Sequence, residues 1–233
     1  MIRRYRHTGW DLVASVLLLV CVAVAATILL LEANGYLVDF VRFDVEPSSL
    51  LVVRAQPKDV QLTLDGEPLA ETWDGTWQIT PGRHDLEIEA EGRQRWTQSF
   101  HVTPRRARVY ESVILYLNPP VLKGVRAREP AEVDMPLIDS ILQVRDGEIR
   151  RLDGTQSSLV TRFSRTPIAA RQLDMHHLIV QLGNELHVID IDGSNDRVLL
   201  TLANDTPHPL VIRDDGRLLG VIIGTDVYEY QLY

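Results

Sequence analysis

The chain has 233 residues, with 24 basic against 32 acidic side chains and a single cysteine. A net charge of −8 argues against nucleic acid or anionic lipid head groups as partners, since both are bound through basic patches. One cysteine excludes an intramolecular disulfide and a thiolate zinc cluster, so stability must come from packing.

Leu12 to Leu31 is an unbroken run of twenty uncharged residues, with only Ser15 and Thr27 as polar interruptions. A helix of that length spans roughly 30 Å, about one bilayer hydrocarbon core. Arg3, Arg4 and Arg6 precede it, and Trp10 and Tyr36 stand where interfacial aromatics belong. By the positive-inside rule the N-terminal stub, residues 1–11, stays in the cytoplasm and the rest of the chain faces outward. A cleaved secretory signal shares the basic start, but its apolar run is only about 7–15 residues long and ends at small residues. Here Ala23, Ala25 and Ala26 lie inside the run and Ile28 to Leu31 continue past them. The expectation is an uncleaved single-pass anchor over 12–31 in the cytoplasmic membrane. Cys21 is inside it, so the exported part carries no thiol and has 21 basic against 30 acidic residues after residue 32.

Residues 32–48 read as a juxtamembrane connector, stopped by Pro47 and Ser48. From Leu50 the pattern alternates. LLVVRA, VQLTLDG, HDLEIEAEG, QSFHVTP and RVYESVILYL each favour strand, with Leu86, Ile88 and Ala90 pointing one way and Asp85, Glu87 and Glu89 the other. Asp65-Gly66, Pro81-Gly82 and Glu91-Gly92 supply turns. Residues 49–118 therefore read as a small β-sandwich.

The order of Pro57, Asp65-Gly66, Pro81-Gly82-Arg83-His84, Gly92, Trp96 and a closing Leu-rich strand resembles a PEGA domain. The corner that names the family reads Pro57-Lys58-Asp59-Val60 here, and Arg93 stands where an aromatic is usual. The resemblance implies a non-catalytic module of a bacterial envelope or surface protein, with His84 packing or bonding locally.

Residues 119–136 hold Pro119, Pro120, Pro130 and Pro136 with little periodicity, and read as a linker or extended crossover. Residues 137–233 repeat. Arg151-Leu152-Asp153-Gly154-Thr155 returns about 40 residues later as Asp190-Ile191-Asp192-Gly193-Ser194. ILQVRDGEI, LIVQLGNELHVI and LGVIIGTDVYEY recur as strands reaching a turn, the last two as hairpins on Gly183-Asn184 and Gly224-Thr225. A period near 40 with short strands is the mark of propeller blades. LHVIDIDGSNDRVLLTL, followed by Asp214-Asp215-Gly216-Arg217, is similar to the TolB-type blade. About two and a half blades fit, whereas closed propellers have roughly four to eight. The expected fold is thus mainly β: one transmembrane helix, a PEGA-like sandwich and an incomplete propeller.

The nearest approach to a metal site is Asp190, Asp192, Asn195 and Asp196 in DIDGSND, whose oxygens suit a hard cation. Gly193 and Leu200 do not fit an EF-hand register, and the expected reading is a blade turn whose side chains bond their own backbone. His176-His177 reads as a solvated turn, because neighbours on a strand face opposite ways. Trp73 and Trp77, flanking Asp74-Gly75, suit either core packing or a carbohydrate or protein contact. Neither a Gly-x-Ser-x-Gly elbow nor a nucleotide-binding glycine loop occurs, and no cofactor is implied. The expectation is a non-enzymatic, membrane-anchored binding or scaffold protein outside the cell membrane, with an envelope protein or carbohydrate partner. Two readings compete with it: a structural subunit whose propeller is completed by a partner or by self-association, and a hydrolase on a propeller platform.

Overall fold

In the computed structural model of the protein, residues 9–33, 35–39, 44–70, 72 and 75–233 are described. Among the described residues the helix α1 (Gly9–Ala33) comes first, then twenty strands. They begin with β1 (Tyr36–Asp39), β2 (Asp44–Pro47), β3 (Ser49–Gln56), β4 (Gln61–Leu64) and β5 (Glu67–Pro68). Next are β6 (Thr76–Ile79), β7 (Gly82–Glu89), β8 (Trp96–Val102), β9 (Ala107–Ile114) and β10 (Val121–Ala127). The repeat region supplies β11 (Leu142–Arg145), β12 (Glu148–Asp153), β13 (Gln156–Arg162), β14 (Ala169–Gln172) and β15 (His177–Leu182). It ends with β16 (Glu185–Asp190), β17 (Arg197–Thr201), β18 (Leu210–Arg213), β19 (Leu218–Ile223) and β20 (Asp226–Gln231). The protein is mainly β, with 52% of residues in strands.

Two compact units, each discontinuous in sequence, divide the chain. The first contains residues 1–53, 71–84 and 100–110. Within α1, Val13–Leu31 is long and apolar enough to cross a membrane, and none of it is buried in the fold. The hydroxyl of Thr27 donates to the Ala23 carbonyl at 2.9 Å, which satisfies a polar group inside an apolar helix. β1 and β2 form a hairpin from Tyr36 opposite Pro47 to Asp39 opposite Asp44, with the Arg105 guanidinium over the Tyr36 ring. β3 lies between β6 and β9 in a three-stranded sheet. Its alternation buries Leu51 and Val53, and Ile79, Phe100 and Val102 are buried in the same unit. Buried His84 bonds the Thr80 carbonyl at 2.7 Å and packs on Phe100, the local role expected of it. Gly75 is required where it is, since a Cβ would sit 2.5 Å from the Val53 carbonyl oxygen.

The second unit contains residues 54–70, 85–99 and 111–233. The pairing of β4 with β7 sets Leu62 opposite Ile88 and Leu64 opposite Leu86, and Asp65-Gly66 turns β4 into β5. Leu86 and Ile88 are buried while Asp85 is exposed, as the alternation predicts.

The repeat folds into three antiparallel sheets in succession: β11-β12-β13, β14-β15-β16-β17, and β18-β19-β20-β10. Their central hairpins turn on Asp146-Gly147, Gly183-Asn184 and Gly224-Thr225, and the sheets do not close on themselves. The middle sheet is covered on both faces, so every residue of β15 is buried. Leu178, Val180 and Leu182 pack with Leu142, Ile149 and Val160 of the first sheet. Ile179, Leu186 and Val188 pack with Leu210, Leu219 and Val221 of the third. Alternation within one strand thus builds two cores.

Part of the stretch expected to be a linker has another role: Val121–Ala127 is β10, the outer strand of the third sheet, from Val121 opposite Gln231 to Ala127 opposite Asp226. An ion network fastens it. Arg126 donates to both carboxylate oxygens of buried Glu132, at 2.9 and 2.6 Å, and through Nε to Glu229 at 2.7 Å. Arg213 reaches Glu129 at 2.7 Å and Glu132 at 3.3 Å. The strand was hard to read because its partner lies some hundred residues away and its own side chains, Lys123 and Arg126 among them, show no clean alternation.

Candidate functional site

All the groups of the cluster and groove described below belong to the second unit. At the start of β15, the Asp174 carboxylate caps the incoming turn. Its Oδ1 accepts the N–H groups of His176 at 2.7 Å and His177 at 2.9 Å. The His177 ring nitrogen Nδ1 donates back to the same carboxylate at 2.8 Å. His177 is 2% exposed, so the solvated-turn reading is corrected: only His176 faces outward. His176 precedes β15 and its ring stands T-shaped to that of His177, centroids 6.5 Å apart, while the second ring lies inside the covered middle sheet.

His177 Nε2 faces Asp190 Oδ1 at 3.6 Å. The Tyr116 ring stands edge-on to His177 and to Tyr233, each at 6.0 Å, and Tyr116 is fully buried. The Arg197 guanidinium lies over the Tyr116 ring at 5.2 Å. It also donates through Nε to the Asn195 carbonyl and through Nη1 to the Ile114 carbonyl, at 3.3 and 3.4 Å.

These environments shift the groups' titration. Burial pushes the Tyr116 hydroxyl well above its ordinary range, helped by the charge of Asp174. Burial raises Asp190 against the hydrogen bond from Asn195. Burial also opposes ionisation of Asp174, but its bonds and charge contact with His177 and the N–H groups it accepts hold it below the usual carboxylate range. Burial lowers Arg197. Tyr116 Oη, Asp190 Oδ1 and Arg197 Nη2 are sealed from solvent without a hydrogen-bond partner among the described residues. Their placement joins the Arg197 cation to the aromatic face rather than to a carboxylate.

Next to this cluster is an open groove of about 630 Å³, lined by five consecutive residues of β17, Arg197 to Thr201, and by Gln94, Arg95, Asn118 and Pro119. β17 is the last strand of its sheet, so the groove follows a free edge. The facing wall is pinned: Gln94 N–H donates to the Tyr116 carbonyl, Asn118 N–H to the Gly92 carbonyl, and Arg93 Nη1 to the Leu115 carbonyl, at 2.8, 2.9 and 2.7 Å. From that wall the Gln94 amide crosses to the edge and donates to the Val198 carbonyl at 2.6 Å. Its other end, Oε1, is sealed without a partner among the described residues.

The residues singled out in DIDGSND bond partly within the turn and partly outside it, Asn195 Nδ2 also donating to Gln98 Oε1 at 3.3 Å. Asp192 accepts Ser194 N–H at 3.0 Å and its hydroxyl at 2.6 Å, while Asn195 Nδ2 donates to Asp190 at 2.7 Å. Asp196 turns away to His187 Nδ1 at 2.7 Å. No three His, Cys, Asp or Glu side chains among the described residues are gathered as they would be around a metal ion. Trp77 is half-buried on β6, and Trp73 lies outside the described residues. Sequence reasoning missed Tyr116, Asp174, Gln94 and Arg197 as a group. The only local signal was the Asp174-x-x-His177 spacing, which suits a side-chain-capped turn. No family model and no curated protein matches the chain in sequence.

Proposed function

We propose that this is a single-pass, membrane-anchored binding or scaffold protein of a bacterial cell envelope, with its N-terminal stub in the cytoplasm and its β domains outside. The observation that carries the binding reading is the groove along the free edge of β17, because a concave edge with polar walls offers backbone and side-chain groups together. The location rests on the apolar span in α1, the three arginines ahead of it and the thiol-free remainder of the chain. The three successive sheets near a 40-residue period support TolB-like blades, and the turn order of 49–118 supports a PEGA-like module.

The test is a native pull-down with the full chain, extracted in detergent from its source membrane. A carbonate-resistant protein with an intact N-terminus that brings down a defined envelope component is the expected result. A chain beginning after Ala26 overturns the anchor, and a clean pull-down from every envelope fraction overturns the binding role.

A second reading is favoured by one observation: the first repeat sheet has three strands where the others have four. A structural subunit whose blades are completed by a partner or by another copy accounts for that shortfall. Mass determination of the extracted protein separates the two, since a strict monomer with no copurifying chain removes the subunit reading.

A further inference from the structure

We propose that the free edge of β17 is a strand-addition site for an extended, acidic segment of another chain, with the Gln94 amide as its internal placeholder. The inference rests on the binding reading above and names the ligand class of that site.

The shape selects a strand. Five consecutive residues of one edge line the groove, which a compact ligand would not need. The Val198 carbonyl points away from β16, since Gln94 bonds it from the opposite wall. In an extended residue the N–H lies on the same side as the carbonyl, so Val198 presents both groups to the groove. An incoming backbone would take over the bond that Gln94 now makes. That exchange removes a defect, because Gln94 Oε1 is sealed and unpartnered in its present position. Val198 is 40% exposed, an apolar contact for the added strand.

The charge selects acidity. The charged residues lining the groove are Arg95 and Arg197, in a chain whose net charge is −8. Arg95 is already held at 2.5 Å by each of Glu87 and Glu89, at the exposed rim. Arg197 is different: it makes two long bonds to carbonyls, rests on Tyr116 and has no carboxylate in ion-pair contact among the described residues. The Arg197 guanidinium feels the charge of Asp190 but touches no carboxylate, so it leaves positive charge beside the groove from which a carboxylate on the added strand gains.

The experiment uses the full chain in detergent and an array of short extended peptides in which one Glu, or one Gln in its place, is moved through every position. The expected result is a register in which Glu binds about tenfold more tightly than Gln. Arg197→Gln should abolish that preference. Val198→Pro should abolish binding of both peptides, because it deletes an outward N–H and leaves the pairing with β16 intact. Gln94→Ala should tighten binding. The Glu-to-Gln comparison on the unaltered chain needs no variant to fold. Equal binding of Glu and Gln peptides in every register, or binding that survives Val198→Pro, would overturn the inference. So would a response to hexagalacturonate in place of the peptides, or a dimer of the chain that Val198→Pro dissolves. If the native pull-down still captures a partner in any of those cases, the binding role stands and this site assignment alone falls.

Discussion

Replacing Glu132 by Gln removes the charge at the centre of the network that fastens β10. The carboxylate accepts two bonds from Arg126, one from the Glu129 N–H at 2.9 Å and one from Arg213. Its side chain is only 5% exposed, so solvent screens these contacts little. The Arg126 hydrogen bond, with the backbone bond and the two arginine charges, outweighs burial and holds the Glu132 pKa at about 2, against 4.5 for a free side chain. At 1.36 kcal/mol per pKa unit that amounts to about 3 kcal/mol. Breaking a buried ion pair costs about 3–5 kcal/mol, and the lower end applies because Arg126 keeps Glu229 and Arg213 keeps Glu129. The folded pKa lies below the unfolded one. The contribution is therefore complete above pH 4.5 and is lost as pH falls towards 2. Hydrogen exchange of the β10 amides in the detergent-extracted protein reads it directly, since this outer strand can open without the whole unit. Glu132→Gln should lower protection by about 3 kcal/mol at pH 7, with the gap closing as the unaltered protein is acidified. Equal protection at pH 7, or a gap that persists unchanged at pH 2, refutes the reasoning.

Gly193→Ala should destabilise by about 2 kcal/mol or more in urea unfolding, because its φ is +84° and a Cβ would meet the Val160 carbonyl oxygen at 2.2 Å. Gly224→Asn is the control: a Cβ there meets nothing within 4 Å and Asn tolerates the left-handed turn, so the cost should stay below about 1 kcal/mol. The hydrogen bond that His187 donates to Asp196 raises the His187 pKa despite burial, so the stability from this pair is present below pH 6.5 and lost as pH rises through the folded pKa. Asp196→Asn should lower the His187 midpoint in an NMR titration, and an unmoved midpoint would sink the assignment. Asn195→Ala removes a donor from Asp190 and should raise that carboxyl further, which carbon-detected titration would show.

Local chemistry in this chain was legible wherever one stretch settled its own structure. The charge-free run made α1, the Gly183-Asn184 and Gly224-Thr225 pairs made hairpins, and the alternation at Leu86 and Ile88 chose the buried face. The Asp192 turn in DIDGSND was legible because an Asp side chain readily accepts the backbone N–H two residues on, here that of Ser194. What failed was anything depending on which elements become neighbours. His176 and His177 are identical residues side by side that both give their N–H groups to Asp174, and only the packing of distant residues such as Tyr116 leaves one ring buried and the other exposed.

An apolar helix of membrane length, a mainly β remainder and a repeat near 40 residues were all legible along the chain, because each follows from a pattern of neighbouring residues. Tertiary structure decided that Val121–Ala127 completes a sheet whose other strands begin at residue 210, and that Tyr116, Arg197 and Gln94 meet beside a free edge. Those contacts join residues about eighty to a hundred positions apart. No local propensity encodes such separations; they are fixed by which strands and connections become neighbours when the sheets pack.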